Sequence, residues 1–343
     1  MTKSFKTLMG AVAALALSAN MAFAVEITGA GSTFVFPVVA KWAAVYKGQS
    51  GDNLNYQSIG SGGGIAQIKA KTVTFGATDK PLAAKDLAAA GLTQFPLVIG
   101  GIVPIVNIKG IGPGQLVLNG PLLAGIFQGK VIFWDAPEIK KLNPGLALPH
   151  QAIAVIHRSD GSGTTYQFST YLARISKDWA DNVGADTAID WPTGIGAKGN
   201  EGVAGNVAKI NGTIGYVEYA YAKQNHLSHA RMINKDGKTV DANPDSFKAA
   251  AASADWGAAA KNNFMVLFLD NAGANTWPIT ATTFAVMYKQ PKDPAASATA
   301  LKFFKWGLEK GDQLALSLDY VPLPPNAVSA IESSWKGIAG SGM

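Results

Sequence analysis

The sequence predicts an α/β protein with two domains, on three observations. Short apolar strands alternate with stretches of helical periodicity along nearly the whole chain. Turns built from glycine, serine and threonine repeatedly separate the end of a strand from the start of a helix. The 343 residues, less an N-terminal leader, are ample for two apolar cores.

The leader is read first. Lys3 and Lys6, an apolar stretch from Leu8 to Leu17 and the small-x-small triplet Ala22-Phe23-Ala24 have the form of a secretory signal peptide cleaved after Ala24. That apolar stretch is too short to span a bilayer. The longest later candidate, Pro96 to Ile108, is broken by Gly100, Gly101 and Pro104, so no direct membrane insertion is expected. There is no cysteine, which leaves stability to packing and excludes a lipid anchor on an N-terminal cysteine. The expected location is the periplasm.

The elements follow in order. Glu26 to Thr28 read as a strand, and a helix starts near Phe36, with Pro37 in its first turn and Val38, Trp42, Val45 and Tyr46 on one face. Leu54 and Tyr56 alternate in a second strand that leads to Gly60-Ser61-Gly62-Gly63-Gly64 and a short helix with Ile65 and Ile68. A third strand, Val73 to Ala77, ends at Thr78-Asp79. Pro96 to Ile108 is either an ordinary buried strand or one that crosses between lobes, with Gly100-Gly101 as its soft point. Asp135 suits the N-cap of a helix carrying Ile139 and Leu142 and stopped by Asn143-Pro144-Gly145. The strand Ile153 to Ile156 runs into His157 to Thr164, and a helix with Phe168, Leu172 and Ile175 on one face follows. Trp277 to Tyr288 reads as a late strand, with helices near Pro294 to Lys310 and Pro325 to Trp335 and a frayed tail at Gly340 to Met343. Trp42, Trp306 and Trp335 are expected in the core.

Three segments share one design, in which a strand ends, a Gly/Ser/Thr loop turns and a helix begins. They are Gly29 to Phe34, Gly60 to Gly64 and Asp160 to Thr164. The first N–H groups of a helix lack intrahelical acceptors and carry the positive end of its dipole. Glycine lets backbone approach an anion, and hydroxyls add donors. One such loop is an ordinary capped turn; three, gathered at the carboxyl ends of strands, describe an anion crevice. Arg158 stands at the mouth of the third loop, and a guanidinium matches an oxyanion edge; pairing with Asp160 is the plainer role and is compatible with it. His157 should point to the opposite face. Asp79 is either a strand-end cap or, beside an anion, an acceptor for a ligand proton. Inorganic phosphate keeps a proton at neutral pH and sulfate has none.

Charge agrees with a small anion. Loss of the leader's two lysines takes the formal net charge from +6 to +4, and the lysines are scattered without a basic block, so nucleic acid is not the expected partner. The only arginines are Arg158, Arg174 and Arg231. Gly194 to Gly199 matches a dinucleotide fingerprint in form but follows Asp190-Trp191-Pro192, so it reads as a loop before a helix. His226 and His229 read as solvated surface, and no cofactor or metal is expected. A secreted phosphatase or phosphoryl transferase with Ser162 or Thr164 as nucleophile needs a base or metal cluster that the spacing does not supply. Binding without catalysis is the expectation, and another oxyanion, such as sulfate or molybdate, is its variant.

The segments TGAGSTF, YQSIGSGGGIAQI, FGATDKPL, QFPLVIGG, KLNPGLALP, RSDGSGTTYQF, WPTGIGAKGNEGVAG, IGYVEYAYAKQN and WPITATTF cover nearly the whole mature chain. By them the sequence resembles the periplasmic phosphate-binding proteins of high-affinity phosphate ABC transporters. The resemblance implies a two-lobed periplasmic-binding-protein fold of type II, each lobe a mixed sheet flanked by helices. Residues 25–100 and 280–343 would form lobe I and 101–279 lobe II, joined by a two-segment hinge near Ile99 to Gly101 and Pro278-Ile279. It implies phosphate held by Thr33, the Phe34 N–H, Ser61, Asp79, Arg158, Ser162, Gly163 and Thr164, with Asp160 in support. It also implies a monomer that delivers phosphate to a membrane permease. Val35 departs from a proline common in the family, and Gly62 from a serine seen in some members.

Overall fold

The computed structural model describes residues 26–342; the leader, its cleavage site at Ala24 and Met343 lie outside the described residues. The chain opens with β1 (Glu26–Gly31), α1 (Phe36–Ser50), β2 (Asn53–Ser58), α2 (Ser61–Lys69), β3 (Phe75–Thr78) and α3 (Ala84–Ala90). β1 lies between β2 and β3 and is parallel to both, the arrangement that helical crossovers produce. β1 runs on to Gly31, past the expected end at Thr28, because Gly29 to Gly31 pair on both edges. Val38, Trp42 and Tyr46 bury one narrow stripe of α1, while Val45, expected beside them, is 36% exposed. One residue is a 100° turn on a helix, and that carries Val45 off the stripe.

β4 (Leu92–Asn107) is the axis of the fold. It is buried through nearly all of its 16 residues, and it also changes partner: Leu92 to Gly101 pair with a late strand, Ile102 to Asn107 with a middle one. The segment is a buried strand, as one sequence reading has it, and it changes partner after Gly101.

The middle of the chain is β5 (Val117–Asn119), α4 (Gly120–Phe127), α5 (Pro137–Leu142), β6 (Ala154–Arg158), α6 (Gly163–Ile175), α7 (Lys177–Asn182), β7 (Ile195–Ala197), α8 (Gly199–Lys209), β8 (Thr213–Glu218) and α9 (Tyr219–Gln224). β9 (Ser228–His229), β10 (Arg231–Ile233), β11 (Thr239–Val240), α10 (Pro244–Ala251), α11 (Trp256–Lys261) and β12 (Phe268–Leu269) complete it. The chain returns through β13 (Ile279–Tyr288) and ends in α12 (Pro294–Lys310), α13 (Asp312–Leu316) and α14 (Pro325–Ser334). The main sheet runs β2-β1-β3-β13-β4-β8-β6-β7, with β12 on β13 and β9 on β4; β11-β10-β5 form a small second sheet. Helices flank a mixed sheet of two halves, one either side of the point where β4 changes partner. Among the described residues no helix is long and apolar enough to cross a membrane.

Several local expectations change. Asp135 does not cap α5: Ala136 holds that position, one residue before Pro137, and Asp135 instead pairs with His150 at 3.0 Å and Lys140 at 3.2 Å. The segment read as a loop at Gly194 to Gly199 contains β7, which pairs with β6. His229 is not solvated but buried against Asp241, at 3.0 Å. Trp42 and Trp335 are fully buried, whereas Trp306 is only partly so and bonds Gln49. The tail is held as far as Ser341, which is buried and donates its N–H to Ile338.

Gly31 shows why the first loop needs glycine. Its φ is +141°, and a Cβ there would lie 2.1 Å from the Ala77 carbonyl oxygen of the neighbouring strand. Gly31→Ala is expected to lower unfolding stability by at least about 2 kcal/mol, read as a shifted urea midpoint.

Candidate functional site

The three Gly/Ser/Thr loops meet. Gly62 in the second donates its N–H to Gly161 O in the third at 2.8 Å. A Cβ on Gly163 would lie 2.5 Å from Ser61 Oγ and 2.6 Å from Asp79 Oδ2, so α6 of the second half-sheet opens directly against the first. Asn200, at the start of α8, joins the first loop to the third: its Nδ2 donates to Thr33 Oγ1 at 2.7 Å and to Thr164 Oγ1 at 3.3 Å. Thr33, Phe34, Ser61, Asp79, Arg158, Ser162 and Thr164 are all buried. Every site residue read from the sequence falls in this one place.

The hydroxyls are pre-aimed. Thr33 Oγ1 accepts from the backbone and side chain of Asn200, Ser61 Oγ from the Asp79 N–H, Ser162 Oγ from the Thr165 N–H and Thr164 Oγ1 from Asn200. A hydroxyl whose lone pair is so used has its proton left to donate. Among the described residues the protons of Thr33, Ser162 and Thr164 have no acceptor, while the Ser61 hydroxyl bonds the Asp79 carboxylate. The N–H groups of Gly163 and Thr164 in the first turn of α6 add donors without intrahelical acceptors. The Phe34 N–H, expected to face the ligand, donates to Ser32 Oγ at 3.0 Å.

Arg158 ends β6, and its Nε and Nη2 reach Asp160 at 2.8 and 2.5 Å. Asp160 also accepts the Gly199 N–H at 3.0 Å. Burial alone would raise the Asp160 pKa, but the bonds and charge of Arg158 outweigh it and hold the carboxyl below its ordinary value. The bidentate pair fixes the guanidinium plane and leaves Nη1 without an acceptor among the described residues. His157 turns the other way, as strand alternation requires, and stacks on Trp191 at 4.8 Å.

From the first half-sheet the buried Asp79 carboxylate faces these donors. Ser32 Oγ and Thr283 Oγ1 both donate to its Oδ1, at 2.6 and 2.5 Å, and the Ser61 hydroxyl also bonds the carboxylate. Burial pushes its pKa up to about 6, against the pull of the Ser32 and Thr283 bonds and the Arg158 charge. Thr283 reaches it because the β13–β4 register shifts between Thr283 and Phe284, opposite Pro96, which has no N–H to give to the ladder.

Sequence reasoning missed Ser32, Asn200, Gln167, Thr283 and Glu218. Gln167 Nε2 donates to the Asp79 carbonyl at 2.5 Å. The Glu218 N–H donates to Asn200 Oδ1 at 2.9 Å, and burial drives the Glu218 carboxyl pKa well above its ordinary value. Only Ser32 carried a local signal, as a second hydroxyl beside Thr33.

The nucleophile reading finds no support in this geometry. Ser162 Oγ caps α6 and Thr164 Oγ1 accepts from Asn200, and among the described residues neither hydroxyl bonds a base. Among the described residues no group of three or more His, Cys, Asp and Glu side chains is placed to hold a metal ion.

A model of the PBP superfamily domain matches residues 18–310. A phosphate-binding protein PstS of Xylella fastidiosa is 51% identical over 318 residues, covering 93% of this chain and 87% of the relative. This chain belongs to the PstS family of phosphate-binding proteins. The PstS protein of Haemophilus influenzae is 50% identical, over 91% of this chain and 92% of its own. In fold the chain is similar to a phosphate-binding protein from Stenotrophomonas maltophilia, with a TM-score of 0.68 at 21% identity over 90% of this chain and 94% of that one. The two positions expected to differ from relatives, Val35 and Gly62, are locally accommodated. Val35 is buried and keeps helical φ and ψ ahead of Pro37. At Gly62 a Cβ would stand 3.0 Å from Gly161 Cα, tighter than a side chain normally sits where the second and third loops touch.

Proposed function

We propose that this protein captures inorganic phosphate in the periplasm and hands it to the permease of an ABC-type importer, acting as a monomer and without chemistry on the ligand. The observation that carries the reading is the imbalance of the site. The hydroxyls of Thr33, Ser61, Ser162 and Thr164, the Arg158 Nη1 and the first N–H groups of α6 stand as donors around one acceptor, the Asp79 carboxylate. That pattern complements an oxyanion that still carries a proton. Hydrogen bonds to a charged partner are worth about 1.5–3 kcal/mol each. Several of them, less desolvation and closure, are enough for sub-micromolar affinity. Residues 25–100 with 280–343 serve as lobe I and 101–279 as lobe II. The change of partner within β4 after Gly101 and the start of β13 at Ile279 support hinges there.

Calorimetric titration with phosphate, with sulfate and molybdate as competitors, tests the assignment. Tight phosphate binding that neither competitor displaces is expected; equal affinity for sulfate would overturn it. The pH dependence has a definite sign. Asp79 is ionised above about 6 and repels an unprotonated anion; below that it carries a proton and becomes a donor. Sulfate competition should therefore grow as pH falls from 8 to 5, about the midpoint that Asp79 sets.

A further inference from the structure

Lys80 has a place at the entrance that the phosphate site itself does not use. It follows Asp79 in the turn after β3, and its backbone N–H is held by Thr78 Oγ1 at 3.1 Å. Its ammonium crosses to the other half of the molecule, 2.6 Å from Asp186 Oδ1 and 5.1 Å from the Tyr166 ring centre. Asp186 Oδ1 is itself fixed by the Thr187 N–H at 2.6 Å, and the Thr187 carbonyl accepts the Ser162 N–H at 2.8 Å. Lys80, Tyr166 and Thr187 line a recess of about 430 Å³ together with Ser61 and Thr78. Among the described residues, Lys80 is the one basic side chain of that lining.

We infer that Lys80 acts twice in phosphate capture: its free ammonium draws the anion into the open cleft, and on closure it is neutralised by Asp186 and latches the entrance. The inference rests on the hinged phosphate capture proposed above. In the open protein no carboxylate from the second half stands beside Lys80, and its charge acts on an anion within a Debye length of about 8–10 Å. In the closed protein the same charge faces Asp186. Release then requires parting an ion pair whose acceptor is wired through Thr187 to the third loop. With 34% and 54% of the two side chains exposed, water screens the pair, so the latch alters rates by small factors and does not dominate affinity.

The test is phosphate entry and release, measured by rapid filtration with radiolabelled inorganic phosphate on the wild type, Lys80→Gln, Asp186→Asn and the double variant. Lys80→Gln should release phosphate about two- to fivefold faster. It should also take phosphate up about two- to threefold more slowly at low ionic strength, a difference lost at high salt. Asp186→Asn should release faster by a similar factor without slower entry, and the double variant should release no faster than the faster single one. Lys80→Arg should keep wild-type entry. Release unchanged in both single variants would overturn the latch. Entry slowed equally by Asp186→Asn, or insensitive to salt in Lys80→Gln, would overturn the steering role. A wild-type protein that takes up no phosphate would overturn the assignment of the site, and the latch with it; wild-type uptake with unaltered variants rejects the Lys80 inference alone.

Discussion

Arg158→Ala is expected to weaken phosphate binding by at least a factor of about ten, and more if both effects described here act together. The first is the loss of the Nη1 donor and of the positive charge in a buried setting. A charge-assisted hydrogen bond there contributes on the order of 1.5–3 kcal/mol, which is about ten- to a hundredfold in affinity. The second is the stranding of Asp160. Its carboxylate, largely buried, would keep only the backbone N–H groups of Gly199 and of Asp160 itself and would face the incoming anion as a second negative charge. Breaking a buried pair from one side also lowers stability, by about 3–5 kcal/mol. The variant therefore needs a companion. Arg158→Ala with Asp160→Ala should regain much of the stability in urea but not the affinity in calorimetry. Wild-type affinity in the single variant would count against the assigned role.

Asp79→Asn should abolish most of the preference for phosphate over sulfate. Asparagine keeps an oxygen for Ser32 and Thr283 but replaces the second carboxylate oxygen, Oδ2, with an amide donor. The ligand proton then has no acceptor, and sulfate meets neither repulsion nor a missing partner. A preference unchanged from the wild type would sink the idea. The same substitution carries a stability signature of known sign. With its pKa raised from 3.8 to about 6, ionised Asp79 opposes folding at high pH, by about 3 kcal/mol at 1.36 kcal/mol per unit. That penalty is present above the folded value and disappears as pH falls toward the ordinary one. Asp79→Asn should therefore be more stable than the wild type at pH 8, with the advantage fading toward pH 4 in urea titrations.

The accuracy of the sequence reading varied with the range of the interaction. The segment from Glu26 to Ala77 was legible because its signals are local: Pro37 in the first turn of α1, glycines at the strand ends, hydroxyls beside them. Asp135 was misplaced by one residue because Pro137 takes the first helical position and puts the N-cap on Ala136, against the usual preference for Asp there. His229 was misread as solvated because its partner, Asp241, lies 12 residues on, at the far side of β10 and β11. The supports of the site escaped for the same reason. Thr283 serves Asp79 across 204 residues, and Asn200 serves Thr33 across 167.

What the sequence by itself determined is the set of candidate binding groups: three loops opening helices, Arg158 with its charge and Asp79 as a carboxylate acceptor. Helix openings, strand ends and residue type are properties of a few adjacent residues, and they are readable wherever the chain folds. Only the tertiary structure decided that the three loops meet, that Asn200 and the Asp79 N–H orient the hydroxyls, and that Ser32 and Thr283 both occupy one oxygen of Asp79. A carboxylate's chemistry follows from its type, but which of its oxygens remains an acceptor depends on neighbours brought from distant parts of the chain, and no local pattern encodes them.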